Sequence, residues 1–229
     1  MYSHVATILI DSARYRSTIG GASRHRFEVD RMSSMWDDRY SAQSYAYGTE
    51  PNDFLKSVAG RIPAGPVLCL AEGQGRNAVY LASLGHDVLA VDQSSVGLDR
   101  ARELAASRGL MIATEVADLS NFIIEPGRWS GIIAIFAHLP PALRSRVFAA
   151  AVRGLARGGA FVLEAYRPKQ LEYDTGGPKD VSMLMSLAAL RAELAGLRIE
   201  HGVETEREVH EGEYHHGHSA VVQILAFKP

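Results

Sequence analysis

From about residue 60 onward, short aliphatic runs alternate with longer stretches of helical period. The runs Val67–Ala71, Asp87–Asp92, Met111–Val116, Gly131–Phe136 and Ala160–Ala165 predict five strands, the first of them buried. Between them, Arg76–Leu84 predicts a helix with Val79, Tyr80 and Leu84 on its inner side, and Ser95–Arg108 a second, with Ser94 or Ser95 as N-cap and Gly109 beyond its end. Pro141–Leu155 predicts a third, with proline suited to its first turn. A Pro- and Gly-rich loop, Tyr166–Pro178, then leads to an apolar helix over Val181–Leu194 and to a closing hairpin, Leu197–Val209 with Ser219–Phe227. This order predicts an α/β fold, a mostly parallel sheet with helices on both faces. No internal repeat or low-complexity linker interrupts it, so residues 36–229 read as one domain.

Residues 1–35 lack that patterning. They hold five arginines after a short apolar run, Val5–Ile10, which is too short to span a membrane and has the wrong order for a secretory signal. They read as a disordered extension, or as sequence upstream of a start at Met32 or Met35.

Composition narrows the function. Of 229 residues, 47% are hydrophobic, enough for a large core, and 24 basic against 26 acidic residues give a net charge of −2. That balance argues against nucleic acid or an anionic membrane as the main partner. The single cysteine, Cys69, sits among Val67, Leu68 and Leu70 and reads as a buried thiol, which points to a reducing, cytoplasmic setting. A monomer or homodimer acting on a small molecule is the expectation.

The chemistry concentrates in Glu72-Gly73-Gln74-Gly75-Arg76-Asn77, which follows the first strand and opens a helix. Glycines there let a ligand approach the backbone, and the helix start presents free N–H groups. Asp92 ends the second strand about 20 residues on, the spacing of a carboxylate that accepts hydrogen bonds from ribose hydroxyls. A dinucleotide would bring its pyrophosphate against Glu72, whereas S-adenosylmethionine brings an ammonium and a sulfonium. The residues favour the methyl donor over the hydride carrier.

On these residues the chain resembles the class I S-adenosylmethionine-dependent methyltransferases, with Glu72-Gly-Gln-Gly75 similar to their acidic-x-Gly-x-Gly motif. Trp36-Asp-Asp-Arg39-Tyr40, Tyr47-Gly-Thr-Glu-Pro-Asn52-Asp-Phe and Val91-Asp-Gln93-Ser-Ser-Val-Gly-Leu98 resemble the tellurite-resistance and thiopurine methyltransferase-like branch. The resemblance covers about residues 36–229. It implies a Rossmann-like seven-stranded sheet with the last strand antiparallel, S-adenosylmethionine as cofactor and S-adenosylhomocysteine as product. It also implies a cofactor site built from Trp36, Arg39, Tyr47, Glu72, Gly73, Gly75, Asn77, Asp92 and Gln93, with Ala117, Asp118 and Leu119 bordering the adenine and Phe136 lining the transfer face. Where amine-methylating branches carry Asn or Asp before Pro-Pro, this chain has Ala137-His138-Leu139-Pro140-Pro141, which disfavours nucleobase or glutamine acceptors.

His138, Tyr166 and Arg167 are the candidate catalytic residues, with Tyr173 a further substrate-side candidate. No carboxylate pair, Ser-His-Asp order or nucleophilic cysteine stands out, which fits a soft sulfur, selenium or tellurium acceptor that arrives with a lone pair available. The histidines at 210, 215, 216 and 218 read as exposed residues of the closing hairpin turn rather than as a metal site, and Glu204, Glu206, Arg207 and Glu208 as a solvated strand face. Two other readings stay open. One is an NAD-dependent oxidoreductase, although Tyr166 and Lys169 are one position too close for a Tyr-x-x-x-Lys pair. The other is a non-catalytic binder of the methyl donor.

Overall fold

A computed structural model describes residues 35–41 and 44–229. The expectations of a disordered extension and of a start at Met32 or Met35 concern residues that, Met35 apart, lie outside those described.

Residues 35–40 are helical, and residues 44–52 lead into α1 (Asp53–Val58), capped by Asn52, whose side chain accepts the Leu55 N–H. Then follow β1 (Pro66–Leu70), α2 (Arg76–Ser83), β2 (Asp87–Asp92), α3 (Ser95–Ser107), β3 (Ala113–Val116), β4 (Trp129–Ile135), α4 (Pro141–Gly154) and β5 (Leu155–Tyr166). The chain ends with α5 (Leu187–Glu193), β6 (Arg198–His210) and β7 (His216–Phe227). Ser94 caps α3 by accepting the Gly97 N–H, and Pro141 opens α4.

The seven strands run in the order β3-β2-β1-β4-β5-β7-β6. β1 to β5 pair in parallel, and β7 is antiparallel to both β5 and β6. This is the Rossmann-like sheet with an antiparallel last strand that the sequence predicts.

The central strands β1, β2, β4, β5 and β7 are largely buried, which is why they read as aliphatic runs, whereas the edge strands β3 and β6 are mostly exposed, and the expected third strand from Met111 forms only at Ala113–Val116. On one face Val67, Cys69, Ile133 and Val162 pack with Phe54, Leu55, Leu81 and Leu98 from α1, α2 and α3. On the other, Leu68, Leu70, Phe161 and Leu163 pack with Phe148, Val152, Met185 and Leu190. Arg144 on α4 grips the Glu193 carboxylate of α5 with Nε (2.9 Å) and Nη2 (2.9 Å), tying the second layer together.

The predicted helix over Val181–Leu194 is a correction. Only a 3-10 turn at Val181–Met183 and the short α5 form, because Leu184 and Met185 are buried, Leu184 in extended backbone, and the Met185 N–H bonds to the Tyr166 carbonyl. Ser186 then restarts the helix by accepting the Ala189 N–H. Docking of those two apolar side chains overrides helical propensity.

Candidate functional site

The parallel strands β1, β2, β3 and β4 end side by side, and the candidate residues gather on the loops that leave them. Two non-glycine residues among those described have left-handed backbone, Ala71 (φ 50°) after β1 and Phe136 (φ 51°) after β4. Such conformations cost on the order of 1–3 kcal/mol and persist where the surroundings impose them.

Gly73 (φ 60°) and Gly75 (φ 86°) carry different loads. A Cβ on Gly75 would stand 2.5 Å from the Ala101 Cβ, so this glycine lets α2 lie against α3. A Cβ on Gly73 would stand 2.6 Å from the Tyr40 hydroxyl, and one on Gly97 would stand 2.8 Å from the same ring. The turn is therefore shaped to receive an aromatic cover from the amino-terminal segment.

Glu72 Oε1 accepts the N–H groups of Asn77 (3.0 Å) and Ala78 (2.8 Å) at the start of α2. Burial pushes its carboxyl up to about 7, against the pull of those N–H groups and of Arg76. Asp92 is buried, and its two oxygens accept from Gly73 N–H (2.8 Å) and Ser94 N–H (2.9 Å). Its carboxyl is also raised, chiefly by burial, with Asp37 adding repulsion; Gln93, half-buried, adds a backbone bond that opposes the rise.

The amino-terminal segment is held over this turn by the turn's own side chains. Gln74 Oε1 accepts the Ala46 N–H (2.8 Å), and Asn77 Oδ1 accepts the Asn52 N–H (2.9 Å). Trp36 stacks on Tyr40 (5.6 Å), and Arg39 lies over Trp36 (5.0 Å) and Tyr214 (4.7 Å) while donating to the Tyr47 hydroxyl (2.9 Å). Trp36, Arg39, Tyr47 and Asn77 are thus brought onto the side of the sheet that holds Glu72, Gly73 and Asp92. Asp118 follows β3 and its carboxylate accepts from Ser120 N–H (2.7 Å) and Oγ (2.5 Å), a turn-forming role, while Ala117 and Leu119 pack on the core.

On the other side of the strand ends, Phe136, Tyr166 and His215 form a ring cluster, with centroids 4.5 Å (Phe136–His215), 4.6 Å (Phe136–Tyr166) and 5.3 Å (Tyr166–His215) apart. Tyr47 reaches it, 4.5 Å from His215. His138 stacks on Tyr166, but both its nitrogens face main chain: Nδ1 lies 3.0 Å from the Met183 carbonyl and Nε2 accepts the Tyr166 N–H at 3.2 Å. That network assigns the proton to Nδ1, and burial drives the pKa down to about 4. Neither nitrogen is left to take a proton from a substrate.

Arg167 and Tyr173 do not join the cluster. Both turn to Glu206 on β6, Arg167 Nη2 at 3.2 Å and Tyr173 Oη at 2.7 Å, so these two candidates serve an ion-pair group instead.

Sequence reading missed a second group. Asn52 Nδ2 donates to Glu164 and to Glu211 (both 2.8 Å), Arg207 Nη2 donates to the same two residues (2.5 and 2.9 Å), and Arg76 Nη2 to Glu211 (2.5 Å). Arg207 is therefore no part of a solvated face. His215 likewise is 9% exposed, against the expectation of an exposed turn. The available signals were Glu164 inside an otherwise apolar strand run and the four-residue spacing of Arg207 and Glu211; His215 had none among its neighbouring histidines.

Two of these groups fit a methionine-like end of a cofactor. Glu72 offers a carboxylate to an ammonium, and Arg76 Nη1 is buried with no hydrogen-bond partner among the described residues, a donor for a carboxylate.

The family model described as a methyltransferase domain matches residues 67–159. A 2-heptyl-1-hydroxyquinolin-4(1H)-one methyltransferase of Mycobacteroides abscessus is 31% identical over 166 residues, covering 67% of this chain and 73% of its own. Among solved structures, the fold resembles TehB from Haemophilus influenzae (TM-score 0.63, 21% identity, 77% of this chain and 62% of that one). It also resembles a TehB-like S-adenosylmethionine-dependent methyltransferase from Corynebacterium glutamicum (TM-score 0.56, 20% identity, 89% and 100%). With the glycine turn, the acidic strand end and this sheet order, these likenesses show that the chain belongs to the class I S-adenosylmethionine-dependent methyltransferases.

Proposed function

We propose that this methyltransferase acts on a small-molecule acceptor held between the glycine turn and the Phe136–Tyr166–His215 cluster. The observation that carries the proposal is the closed arrangement of the amino-terminal segment, pinned by Gln74 and Asn77 over a turn that holds a half-buried Glu72 and a buried Asp92.

In this reading Glu72 takes the ammonium of the cofactor, Arg76 its carboxylate, Asp92 its ribose, and the loop of Ala117, Asp118 and Leu119 borders its adenine. S-adenosylmethionine, when bound, supplies an already activated methyl group. The protein's work is then alignment and exclusion of water, which Trp36, Arg39, Tyr40 and Tyr47 serve by covering the turn. Phe136, with its strained backbone, presents its ring between cofactor and acceptor.

An aromatic setting accepts either a soft sulfur, selenium or tellurium nucleophile or a planar aromatic hydroxyl, and the mycobacterial relative's name states a hydroxyquinolone. The test is transfer of isotope-labelled methyl from S-adenosylmethionine to a panel of thiols, selenite, tellurite and hydroxylated heteroaromatics. Labelled product from at least one class is expected. Cofactor binding with no transfer to any class would favour a non-catalytic binder.

A further inference from the structure

We propose that His215 is the group that receives the acceptor's proton, and that the site is therefore built for an aromatic hydroxyl rather than for a nucleophile that arrives ionised. This rests on the methyltransferase reading of the same site.

His215 lies in the turn between β6 and β7, but the turn is folded inward. A Cβ on Gly212 would stand 2.5 Å from the Ala46 carbonyl oxygen and 2.6 Å from the Tyr47 carbonyl carbon, so the hairpin sits directly on the covering segment. On its other side Gly176 approaches so closely that a Cβ would stand 2.5 Å from the Tyr214 carbonyl oxygen and 3.1 Å from the His215 ring. Three separate segments thus enclose one imidazole.

Its Nδ1 is buried and has no hydrogen-bond partner among the described residues. A buried N–H with no acceptor costs more than a bare lone pair, so the surroundings assign the proton to Nε2 and leave Nδ1 as a buried, unused acceptor on a ring within the aromatic cluster. His138, the histidine that sequence position favours, has both nitrogens committed to main chain. The rings of Tyr47, Phe136 and Tyr166, tilted or edge-on to His215, make an aromatic setting that suits a flat, apolar body carrying one acidic hydroxyl.

The charges nearby fit the same role. Burial first, and then the guanidinium groups of Arg76, Arg39 and Arg207, hold His215 neutral before transfer. During transfer the acceptor O–H bond breaks and its proton forms the Nδ1–H bond of an imidazolium. The oxygen keeps the electron pair and bonds the methyl carbon, while the pair of the C–S bond returns to sulfur and leaves a neutral thioether. The surrounding guanidinium groups then favour release of the imidazolium proton to water, which resets the site.

The test uses a matched pair of acceptors, 4-nitrophenol and 4-nitrothiophenol, at about pH 6, where the thiol is ionised and the phenol is not. In His215→Asn, which keeps an acceptor atom near the Nδ1 position but no base, kcat for the phenol is expected to fall about 100-fold or more, and at least about 30-fold further than kcat for the thiolate, which needs no base. Equal losses for both acceptors, or no loss for the phenol, would overturn the proposal. Should neither probe be methylated, the nitrogen NMR signals of His215 decide: with the protein saturated in S-adenosylhomocysteine, 4-nitrophenol is expected to move the Nδ1 signal, and an unmoved signal overturns the proposal. His215→Gln, checked by circular dichroism, guards against a folding defect in the first variant. Calorimetric binding of S-adenosylmethionine to the unaltered protein separates the two failures, because its absence would sink the methyltransferase reading itself.

Discussion

Arg207 on β6 and Glu164 on β5 are joined across the intervening β7 by two hydrogen bonds, Nη2 to Oε1 at 2.5 Å and Nε to Oε2 at 3.3 Å, and Glu164 is 0% exposed. A carboxylate that deep is tolerable only while paired. Asn52 and Gln223 also donate to this carboxylate, so the covering segment is anchored to β5 through Glu164 as well as to Glu211.

Arg207→Ala is therefore expected to cost about 3–5 kcal/mol, because it leaves Glu164 buried without its cation, whereas Glu211 keeps Arg76. Urea denaturation measures this. A loss under about 1 kcal/mol would mean that the pair is solvated in solution.

Gly75→Ala tests the packing of α2 on α3. At φ 86° the new methyl is strained, and it meets Ala101 Cβ at 2.5 Å and Cα at 2.8 Å, backbone that cannot swing aside. A loss on the order of 2–4 kcal/mol is expected in the same assay. Gly73→Ala, also strained at φ 60°, meets instead the buried Tyr40 ring, hydroxyl at 2.6 Å and Cζ at 3.0 Å, and is expected to weaken cofactor binding as well as stability.

How much of this was legible beforehand follows the physics of each part. The central strands β1, β2, β4 and β5 and the glycine turn read directly, since burial makes aliphatic runs and the turn needs glycine for the positive φ seen at Gly73 and Gly75; the exposed β3 read less well, its start falling at Ala113 rather than Met111. The division of labour between those glycines did not read, because it depends on Ala101 and Tyr40, which approach from other segments. Glu164, Arg207, Glu211 and His215 were passed over for the same reason. A buried charge declares itself only through partners up to 159 residues away, as Asn52 is from Glu211. Helix 181–194 was misjudged because local periodicity carries no record of where Leu184 and Met185 dock.

Glu72 predicts a pH dependence. Its folded-state carboxyl is raised from 4.5 to about 7, so the stability it contributes is present below about pH 4.5 and is lost as pH rises through about 7. A cationic ligand favours the ionised form, so cofactor affinity is expected to rise between about pH 6 and 8. Titrations in Glu72→Gln should lose that slope. An unchanged slope would assign it to another group.

His138 is expected to remain neutral down to about pH 4, with its proton on Nδ1. Nitrogen-detected NMR across pH 4 to 8 checks this directly. A titration near 6.5 would show that the bonds to Met183 and Tyr166 are not maintained in solution.

The central claim is that Glu72 and Asp92 beside the glycine turn form the S-adenosylmethionine site. Calorimetric titration of the protein and of Asp92→Ala with S-adenosylmethionine, with NADH as the comparison, tests it most directly. The account predicts binding of S-adenosylmethionine alone, weakened at least about tenfold in the variant, which corresponds to about 1.4 kcal/mol. Binding of NADH instead, or affinity for S-adenosylmethionine unchanged by the substitution, would contradict it.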